Sequence, residues 1–569
     1  MYLDLQDIEK TEVWELYERG RNYHRMRGYN TDADKCSRFV FGNQWEGAKL
    51  GNIQPVQINY IKRIYKYKQA VIHDNLYGIV LSSQNYESRQ AHTEYERYCT
   101  ILNSYMGKVW EQQKMDKLGR KVTRHSAVFG EGIMYVDFDK ETMMPICEVI
   151  DKVNVFYADE NDDDIQSQPY ILISKRMPVS SAVEFALARG CSEEDTRFIV
   201  GDTDSQDELG DTKDEKEDQV TIVYKLYKKN GTVHFSCATK LVDICKDVNL
   251  EIKLYPVAHM NWEETDSARS EGEVKYHIPT QIEVNKIATR RIASVQAEAY
   301  PKTIVDSSKI TNPSAINTVG GIIKTNGSPV EDVRKIISTL PPSSMSADVK
   351  LLFDDLINIT SDLASAGDSA TGNVNPESAS GRAILAVQQA SQAPINEQKE
   401  NYKDFIEDIA HIWLEYLIVH SVDGIPMEET VTDPMSGEEY VQMVVVPQKV
   451  LQNLQATIKV DVTPKSVYDR FAMEQTLENL LMHGLLDPER TPALEAYTNL
   501  LDYDMTSPKR KLEEHIKKVK EDQKKIAQME AQAQEMQMRA EQFLYDDVDA
   551  QAQMIADAEQ QIMQQNAMA

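Results

Sequence analysis

The residues most able to do chemistry in this chain are two histidines and a glutamate on one helical segment, His411, Glu415 and His420. His411 and Glu415 are four residues apart and share a helix face, but His411 and His420 are nine apart and do not. The pattern therefore favours packing or surface roles over a metal site. The sequence holds no GxxxxGK[ST], HExxH or GxSxG motif, and no GxGxxG after a strand. We predict no enzyme, no bound metal and no cofactor.

A second candidate for chemistry is the acidic segment ADENDDDIQ, residues 158–166, which suggests a calcium loop. An EF-hand needs a glycine at the sixth position and a bidentate glutamate at the twelfth. Asp164 and Tyr170 occupy those positions instead. The segment is predicted to be an acidic surface turn.

A third candidate is the segment QINYIKRIYKYKQAVI, in which four cations alternate with three tyrosines: Lys62, Arg63, Lys66, Lys68, Tyr60, Tyr65 and Tyr67. Such a segment could bind nucleic acid. More often the pattern is a helix whose basic face is solvated and whose aromatic side chains pack inward. We favour the second interpretation.

Composition limits the class of protein. The chain has 569 residues and a formal net charge of −29, which argues against a surface that binds DNA over its whole extent. Its longest apolar runs are about five residues, far short of a membrane span, and its first residues show no signal peptide. The six cysteines form no CxxC pair and are expected to be free thiols of a reducing cytosol.

Hydrophobic periodicity predicts an α+β chain. Helices are expected over 1–30, 92–128, 280–299, 347–366 and 380–420, the last kinked at Pro394. Sheet is expected over 133–175 and 424–465, and Asn230-Gly231 predicts a type I′ hairpin. Residues 202–218 carry nine acids and are expected to be a mobile loop, and residues 466–569 are expected to be largely helical.

Between the helices predicted at 347–366 and 380–420 lies a segment of small and polar residues, 367–380. Its glycines and serines permit motion, and its only charges are negative. A segment built to bind DNA tightly would carry lysine or arginine, because neutralising phosphates dominates that affinity.

The order of these elements, with several local segments, resembles the portal proteins of tailed bacteriophages, the head–tail connectors of the portal vertex. FGNQW at 41–45 is similar to an aromatic GxQW element of that family, and INYIKRIYKYKQAVI to the helix that follows it. AVFGEGIMYVDF and VNVFYADENDDD resemble its β region. PTQIEVNKIATRR resembles its first stem helix, and ASGRAILAVQQASQAPINEQKENYKDFIEDI the start of its long helix.

The resemblance implies a portal-like α+β fold with eight parts. These are a wing at 1–274, a stem helix at 275–299, a clip at 300–345, a second stem helix at 346–366, a tunnel loop at 367–380, a long kinked helix at 381–420, a second wing part at 421–465, and a helical crown or barrel at 466–569. The tunnel-loop residues expected in the channel are Gly367, Asp368, Ser369, Gly372, Asn373, Val374, Asn375, Glu377 and Ser380.

The resemblance also implies function and partners. Twelve copies would form a ring at one capsid vertex of the virion, assembled in the host cytoplasm, through which double-stranded DNA is packaged and ejected. The terminase large subunit, a head–tail adaptor, the major capsid protein and a scaffold would be partners.

The region of the predicted first stem helix and clip differs in charge from the chain as a whole. Residues 275–340 hold nine basic and five acidic residues, a local positive surplus within an acidic chain. The cations either face the channel or the terminase, or pair with acids of neighbouring subunits: Arg290, Arg291, Lys302, Lys309 and Lys324. The alternative function is an architectural scaffold or adaptor oligomer of a virion, without a DNA channel.

Overall fold

The computed structural model describes residues 10–47, 54–83, 89–202, 219–299, 347–364, 393–421, 424–432, 439–448 and 456–464, parts of 303–339, and residues 451, 556, 557 and 560. The chain divides into two compact units, Met1–Thr463 and Pro464–Ala569. In the second unit, the described residues 556, 557 and 560 are helical. The loop predicted at 202–218 lies outside the described residues, apart from Asp202.

The first unit begins with helices. They are α1 (Glu12–Arg27), α2 (Tyr29–Phe41), α3 (Tyr60–Ile72), α4 (Arg89–Gln112) and α5 (Met115–Phe129), with strand β1 (Asn75–Ser83) after α3. The Thr11 side chain accepts a hydrogen bond from the Trp14 backbone N–H and caps α1. Gly28, with φ of 77°, allows the abrupt turn from α1 into α2.

The prediction of a single helix over 92–128 is wrong in one respect, because the structure has two helices there, α4 and α5. Lys114 takes a left-handed conformation with φ of 53°, which ends the first helix and starts the second. Met115, which follows it, is buried in the core. Tertiary packing at Met115 therefore overrides a helical periodicity that runs through the break.

Two antiparallel sheets form the centre of the unit. One has the order β3-β2-β9, from β2 (Glu131–Asp139), β3 (Met144–Ile150) and β9 (Val257–Asn261). The other has the order β4-β5-β6-β7-β8, from β4 (Val155–Tyr157), β5 (Tyr170–Pro178), β6 (Gln219–Lys229), β7 (Thr232–Ala238) and β8 (Asp243–Asn249). The short helices α6 (Val179–Ala188) and α7 (Glu193–Thr196) follow β5.

The predicted hairpin is confirmed. Strands β6 and β7 pair antiparallel up to Lys229 and Thr232, and the two residues between them have positive φ, 55° at Asn230 and 84° at Gly231. Positive φ at both central positions is what a type I′ turn requires.

Three further strand pairs complete the described sheet structure. They are β10 (Thr303–Val305) with β11 (Ile337–Thr339), β12 (Ile425–Thr432) with β13 (Glu439–Val446), and β14 (Ala456–Pro464) with β1. The β character predicted for 424–465 is confirmed at these strands. The chain is of mixed helix and strand content, as an α+β class requires.

Three long helices follow the two central sheets in the sequence. They are α8 (Glu273–Ala299), α9 (Ala347–Leu363) and α10 (Asn396–His420). Helix α8 starts seven residues before the predicted position 280 and includes Pro279. Pro279 is exposed, so the carbonyl that loses its internal hydrogen-bond donor lies on the solvent side, where water can satisfy it.

Pro394 lies in a short 3₁₀ turn, Ala393–Ile395, directly before α10. Residues 381–392 are outside the described residues, so the predicted kink of one long helix stays a prediction. Helix α10 is deeply packed: Phe405, Ile409 and Trp413 are at most 1% exposed. Among the described helices, none is long and apolar enough to cross a membrane.

The end of α5 and the segment before α8 pack so closely that two glycines leave no room for a side chain. A Cβ atom on Gly130 would lie 2.0 Å from the Ser270 carbonyl oxygen, and one on Gly272 would lie 2.7 Å from the Ala127 carbonyl oxygen. Gly130 also has φ of 101°. Glycine at these positions lets the end of α5 touch the segment that leads into α8.

We predict that Gly130→Ala destabilises the chain by more than the roughly 1–3 kcal/mol of a strained backbone alone, because its methyl group also meets a backbone oxygen. Gly190→Ala is the matched control, since Gly190 has φ of 87° and no atom within 4 Å of an added Cβ. Urea unfolding followed by tryptophan fluorescence measures both. Equal losses for the two variants would contradict the close approach.

Candidate functional site

The base of α8 rests on a buried ion cluster of four residues, Glu131, Lys152, Glu160 and Arg269. Glu131 is fully buried at the start of β2. Its carboxylate accepts hydrogen bonds from Arg269 Nη1 at 2.9 Å and pairs with Lys152 Nζ at 3.0 Å. Two carboxylates balance two cations, so the cluster is neutral as a whole.

Arg269 connects the cluster to the N-terminal helices. Its Nε donates to Glu160 Oε1 at 3.0 Å, and Nη2 donates to the Val155 carbonyl at 2.6 Å. Nη2 also lies 2.9 Å from Nε2 of His24 on α1. Burial and the nearby Arg269 charge lower the pKa of His24, so its imidazole is neutral and Nε2 can accept this hydrogen bond.

The charges of the cluster hold one another ionised. Burial alone would raise the pKa of Glu131, but Arg269 and Lys152 outweigh it and hold that pKa far below its ordinary value. Burial likewise opposes ionisation of Glu160, and the charge of Arg269 and the hydrogen bond that it donates lower the pKa of Glu160. The paired charges are therefore present at neutral pH.

A second buried pair fixes the first turn of α8. Glu273 accepts from the Trp262 indole at 3.1 Å, pairs with Lys68 of α3 at 2.8 Å, and contacts His277 Nε2 at 2.9 Å. Burial would raise the pKa of Glu273, but His277 and Lys68 lower it to about 2. Because Lys68 is only 8% exposed, it is not part of a solvated face.

With that exception, the favoured interpretation of α3 is confirmed. Tyr60 and Tyr65 are buried and Lys62, Arg63 and Lys66 are exposed. The segment is a helix with an inward aromatic face and a solvated basic face.

The middle of α8 presents polar side chains four residues apart, Gln281, Asn285 and Thr289. They bind the backbone of the segment before α3: Gln281 Nε2 donates to the Ile58 carbonyl at 2.6 Å, Asn285 Oδ1 accepts from the Ile58 N–H at 3.0 Å, and Thr289 Oγ1 accepts from the Val56 N–H at 3.0 Å. Asn285 also donates to Gln44 Oε1 at 2.6 Å. The glutamine of the FGNQW segment thus anchors α8.

Beyond Thr289 the surface of α8 changes, because apolar side chains become exposed. Ile292 and Val295 are 45% and 63% exposed. Helix α9 lies against α8 and carries Leu351, Leu352, Ile359 and Leu363, which are 51–81% exposed. We call these two helices the α8–α9 pair.

The predicted basic residues fall at different places. Arg290 is exposed on α8, and the Arg291 guanidinium lies 5.5 Å from the Phe353 ring of α9, so Arg291 joins the two helices. Lys309 and Lys324 lie on neighbouring segments, joined by hydrogen bonds from Asn326 N–H to the Lys309 carbonyl and from Thr311 N–H to the Lys324 carbonyl. Lys302 lies outside the described residues.

The segment predicted to line a channel, 367–380, also lies outside the described residues. This applies to all nine of its predicted residues: Gly367, Asp368, Ser369, Gly372, Asn373, Val374, Asn375, Glu377 and Ser380. Their position in the structure stays a prediction.

Two of the three histidine and glutamate candidates, Glu415 and His420, have structural roles. Glu415 accepts hydrogen bonds from the backbone N–H groups of Lys253 and Leu254, at 3.1 and 2.8 Å. His420 stacks on Phe138 with ring centroids 4.9 Å apart, and His411 is exposed. Within the described part of the chain, no three acidic, histidine or cysteine side chains are placed to hold a metal ion.

The acidic segment is a surface turn, as predicted, with one exception. Asp159, Asp162 and Asp164 each accept a hydrogen bond from a backbone N–H two residues later, at 2.8–3.1 Å. Their carboxylates thereby stabilise the turn itself. Glu160 instead points into the buried ion cluster, a role that the acidic pattern does not indicate.

Sequence reasoning missed Glu131, Arg269, Glu273 and the three polar residues of α8. Two signals were available. A carboxylate between two glycines in an otherwise apolar run, GEGIMYV, indicates a buried charge, and amide and hydroxyl side chains at four-residue spacing indicate a polar helix face. Neither signal identifies the partner residues.

A known protein family matches this chain along most of its length. The sequence profile of the family described as Phage P22-like portal protein matches residues 18–569. The chain therefore belongs to that family of phage portal proteins, which are structural components of the capsid with a role in DNA packaging. Membership implies an oligomeric ring at a virion capsid vertex. Among curated proteins, no match was found.

We predict that Glu131→Gln costs about 3–5 kcal/mol of unfolding free energy, because it leaves two buried cations, Lys152 and Arg269, with one carboxylate, Glu160, to compensate them. Glu148→Gln is the control: Glu148 pairs with Lys175 but is 55% exposed, so it should cost no more than about 1 kcal/mol. Urea unfolding measures both. A Glu131→Gln loss as small as the control would show that the cluster does not hold the fold.

We predict that the Glu273 pair stabilises the fold at neutral pH and not in strong acid. The folded-state pKa is depressed, so the contribution is complete above the ordinary value of about 4.5 and is lost as the pH falls towards about 2. The stability difference between wild type and Glu273→Gln should therefore shrink over this window. Unfolding midpoints measured at several pH values test it, and a constant difference would contradict it.

Proposed function

We propose that this chain forms a ring of twelve subunits around a channel for double-stranded DNA, with the α8–α9 pair as the wall of the channel. The observation that carries the proposal is the change along α8. Its first half is fixed by buried ion pairs and amide hydrogen bonds, and its second half shows apolar side chains to solvent together with α9.

Exposed apolar groups on two neighbouring helices need a partner, because soluble monomers seldom present large contiguous apolar patches. A ring supplies the partner from the next subunit. The apolar side chains of the α8–α9 pair would pack between neighbours, and this packing would offset the repulsion between copies that each carry a net charge of −29.

The charges of the region support a path for DNA beside these helices. Arg290 is exposed on α8, and Lys324 is exposed on the segment between α8 and α9. Cations at a few positions attract the duplex, while the segment 367–380, which has no cation, would let it slide. We assign Arg290, Lys302, Lys309 and Lys324 to this path or to the packaging motor, whereas Arg291, whose guanidinium lies against Phe353, joins α8 to α9.

The partners follow from the same scheme. The segment around 300–345 would bind the terminase large subunit during packaging and a head–tail adaptor afterwards. The wing, residues 1–274 and 421–465, would face the major capsid protein and a scaffold. Assembly would take place in the host cytoplasm.

The test compares three forms of the full chain, each assembled into capsids: wild type, a form lacking residues 370–378, and Val295→Asp/Ile359→Asp. We predict that the deletion leaves rings intact by electron microscopy but reduces the DNA packaged or retained per particle. The aspartate variant should lose rings, because it buries charge between subunits. Met26→Asp, at a side chain that is 87% exposed on α1, is its control.

Rings with normal DNA content after the deletion would show that segment 367–380 does not line the channel. Rings that persist in Val295→Asp/Ile359→Asp would remove the α8–α9 pair from the subunit interface. Rods or small oligomers without a central hole in the wild type would favour the scaffold or adaptor alternative.

A further inference from the structure

Two cysteines face each other across the edge of the five-stranded sheet. Cys237 on β7 and Cys245 on β8 are directly opposite in the strand register, and their sulfur atoms are 2.8 Å apart. Both are free thiols in this structure. Opposed positions on paired strands fall within the Cα separation that a disulfide spans.

The strand pairing is irregular on both sides of this pair. The register shifts between Phe235 and Cys237 and again between Cys237 and Ala238, so β8 bulges around Cys245. Asp247, in the first bulge, has φ of 48° and accepts hydrogen bonds from Tyr227 and Lys229, each at 2.7 Å. The bulges and this anchor hold the Cys245 side chain against Cys237.

The surroundings make the two sulfurs chemically unequal. The hydrogen bond from the Cys237 thiol, with Arg189 adding a further donor, lowers the pKa of Cys245 to about 7. The same hydrogen bond, together with burial, raises the pKa of Cys237. Arg189 is held in place by the rings of Phe185 and Phe235, at 4.1 and 5.5 Å. Cys245 is half-buried and Cys237 fully buried.

We propose that Cys237 and Cys245 form a redox-active dithiol, which closes to a cross-strand disulfide when it meets a low-molecular-weight disulfide such as oxidised glutathione. In this scheme Cys245 is the attacking thiolate and Cys237 the resolving thiol. The arrangement fits because the half-buried sulfur is reachable from solvent and the buried one is already in contact with it.

The chemistry balances in two exchange steps. The Cys245 thiolate attacks one sulfur of oxidised glutathione, forms a mixed disulfide and releases a first glutathione thiolate. Cys237 then loses its proton and attacks the Cys245 sulfur, which releases a second glutathione. The protein loses two hydrogen atoms, and the oxidant is reduced to two thiols.

The structural consequence concerns β8, which ends the sheet order and pairs with β7 alone among the described strands. A bond between the two strands closes a short loop and restricts the opening of this edge. Oxidation would therefore fix the edge strand in an environment without reducing agents, and reduction would release it.

To test the proposal, the purified full chain is incubated in glutathione buffers in which the fraction of oxidised glutathione increases stepwise. The chain is then digested, and its disulfides are identified by mass spectrometry. We expect a Cys237–Cys245 disulfide, and hydrogen exchange of the β8 amides slowed by at least about tenfold relative to the reduced chain. Cys147→Ser, which removes another half-buried thiol, should form the same bond. Cys237→Ser should leave Cys245 as a lasting glutathione adduct.

Mapping the disulfides of the wild-type chain tests the proposal even if a variant fails to fold. A Cys245 that stays a thiol, or that stays glutathionylated without closing onto Cys237, overturns it. Unchanged exchange of β8 after the bond has formed overturns the proposed effect on the edge strand.

Arg189 is a positioning residue in this scheme, and its test is separate. In Arg189→Met, the midpoint of the pH profile for the reaction of Cys245 with iodoacetamide should rise, and disulfide closure should slow. Arg189→Lys should partly restore the midpoint and the closure rate. An unchanged pH profile together with an unchanged closure rate overturns the role of Arg189.

Discussion

The structure of the first unit depends on how it buries four charges around Glu131. A carboxylate removed from water is costly unless it is paired and hydrogen-bonded, and Glu131 has no exposure at all. Its partners come from separate parts of the chain: Lys152 follows β3, Arg269 precedes α8, and His24 reaches Arg269 from α1. The charges are compensated only when all of these elements are in place, so the cluster specifies one arrangement of them.

The glycines around the cluster follow from the same constraint. The hydrogen bonds of Lys152 to the carbonyls of Phe129 and Ser270, 2.9 and 3.0 Å, require the end of α5 and the segment before α8 to approach closely. A side chain at Gly130 would occupy that space. Backbone contact and charge compensation are therefore two aspects of one junction, from which α8 leaves in a fixed direction.

The sequence indicates local features well and long-range ones poorly. The Asn230-Gly231 turn, the amphipathic α3 and the surface turn at 159–164 are each decided by neighbouring residues, and their predictions are confirmed. The break at Lys114 and the early start of α8 were missed, because packing of Met115 and Glu273 decides them. Glu131 and Arg269 are 138 residues apart, and no spacing rule relates such a pair.

The candidate site shows the same division. Arg290 and Arg291 are adjacent in the sequence, where both read as basic residues of one helix. In the structure Arg290 is exposed, whereas Arg291 contacts the Phe353 ring of α9. The difference arises because successive residues of a helix point about 100° apart, and only one of the two directions meets α9. A charge count along the sequence therefore overstates the cations available to a ligand.

The two halves of α8 differ in how their side chains are packed. Up to Thr289 its polar side chains are satisfied within the chain, by Gln44 and by the backbone of residues 56–58. Past Thr289 the apolar side chains of Ile292 and Val295 remain 45% and 63% exposed, so the chain buries them only in part. At about 25 cal/mol per Å² of apolar surface, burying that exposed area between the subunits of the proposed ring would stabilise their contacts. In the proposed ring, the base of α8 is fixed by contacts within its own chain, and its distal end would be fully packed only beside another copy.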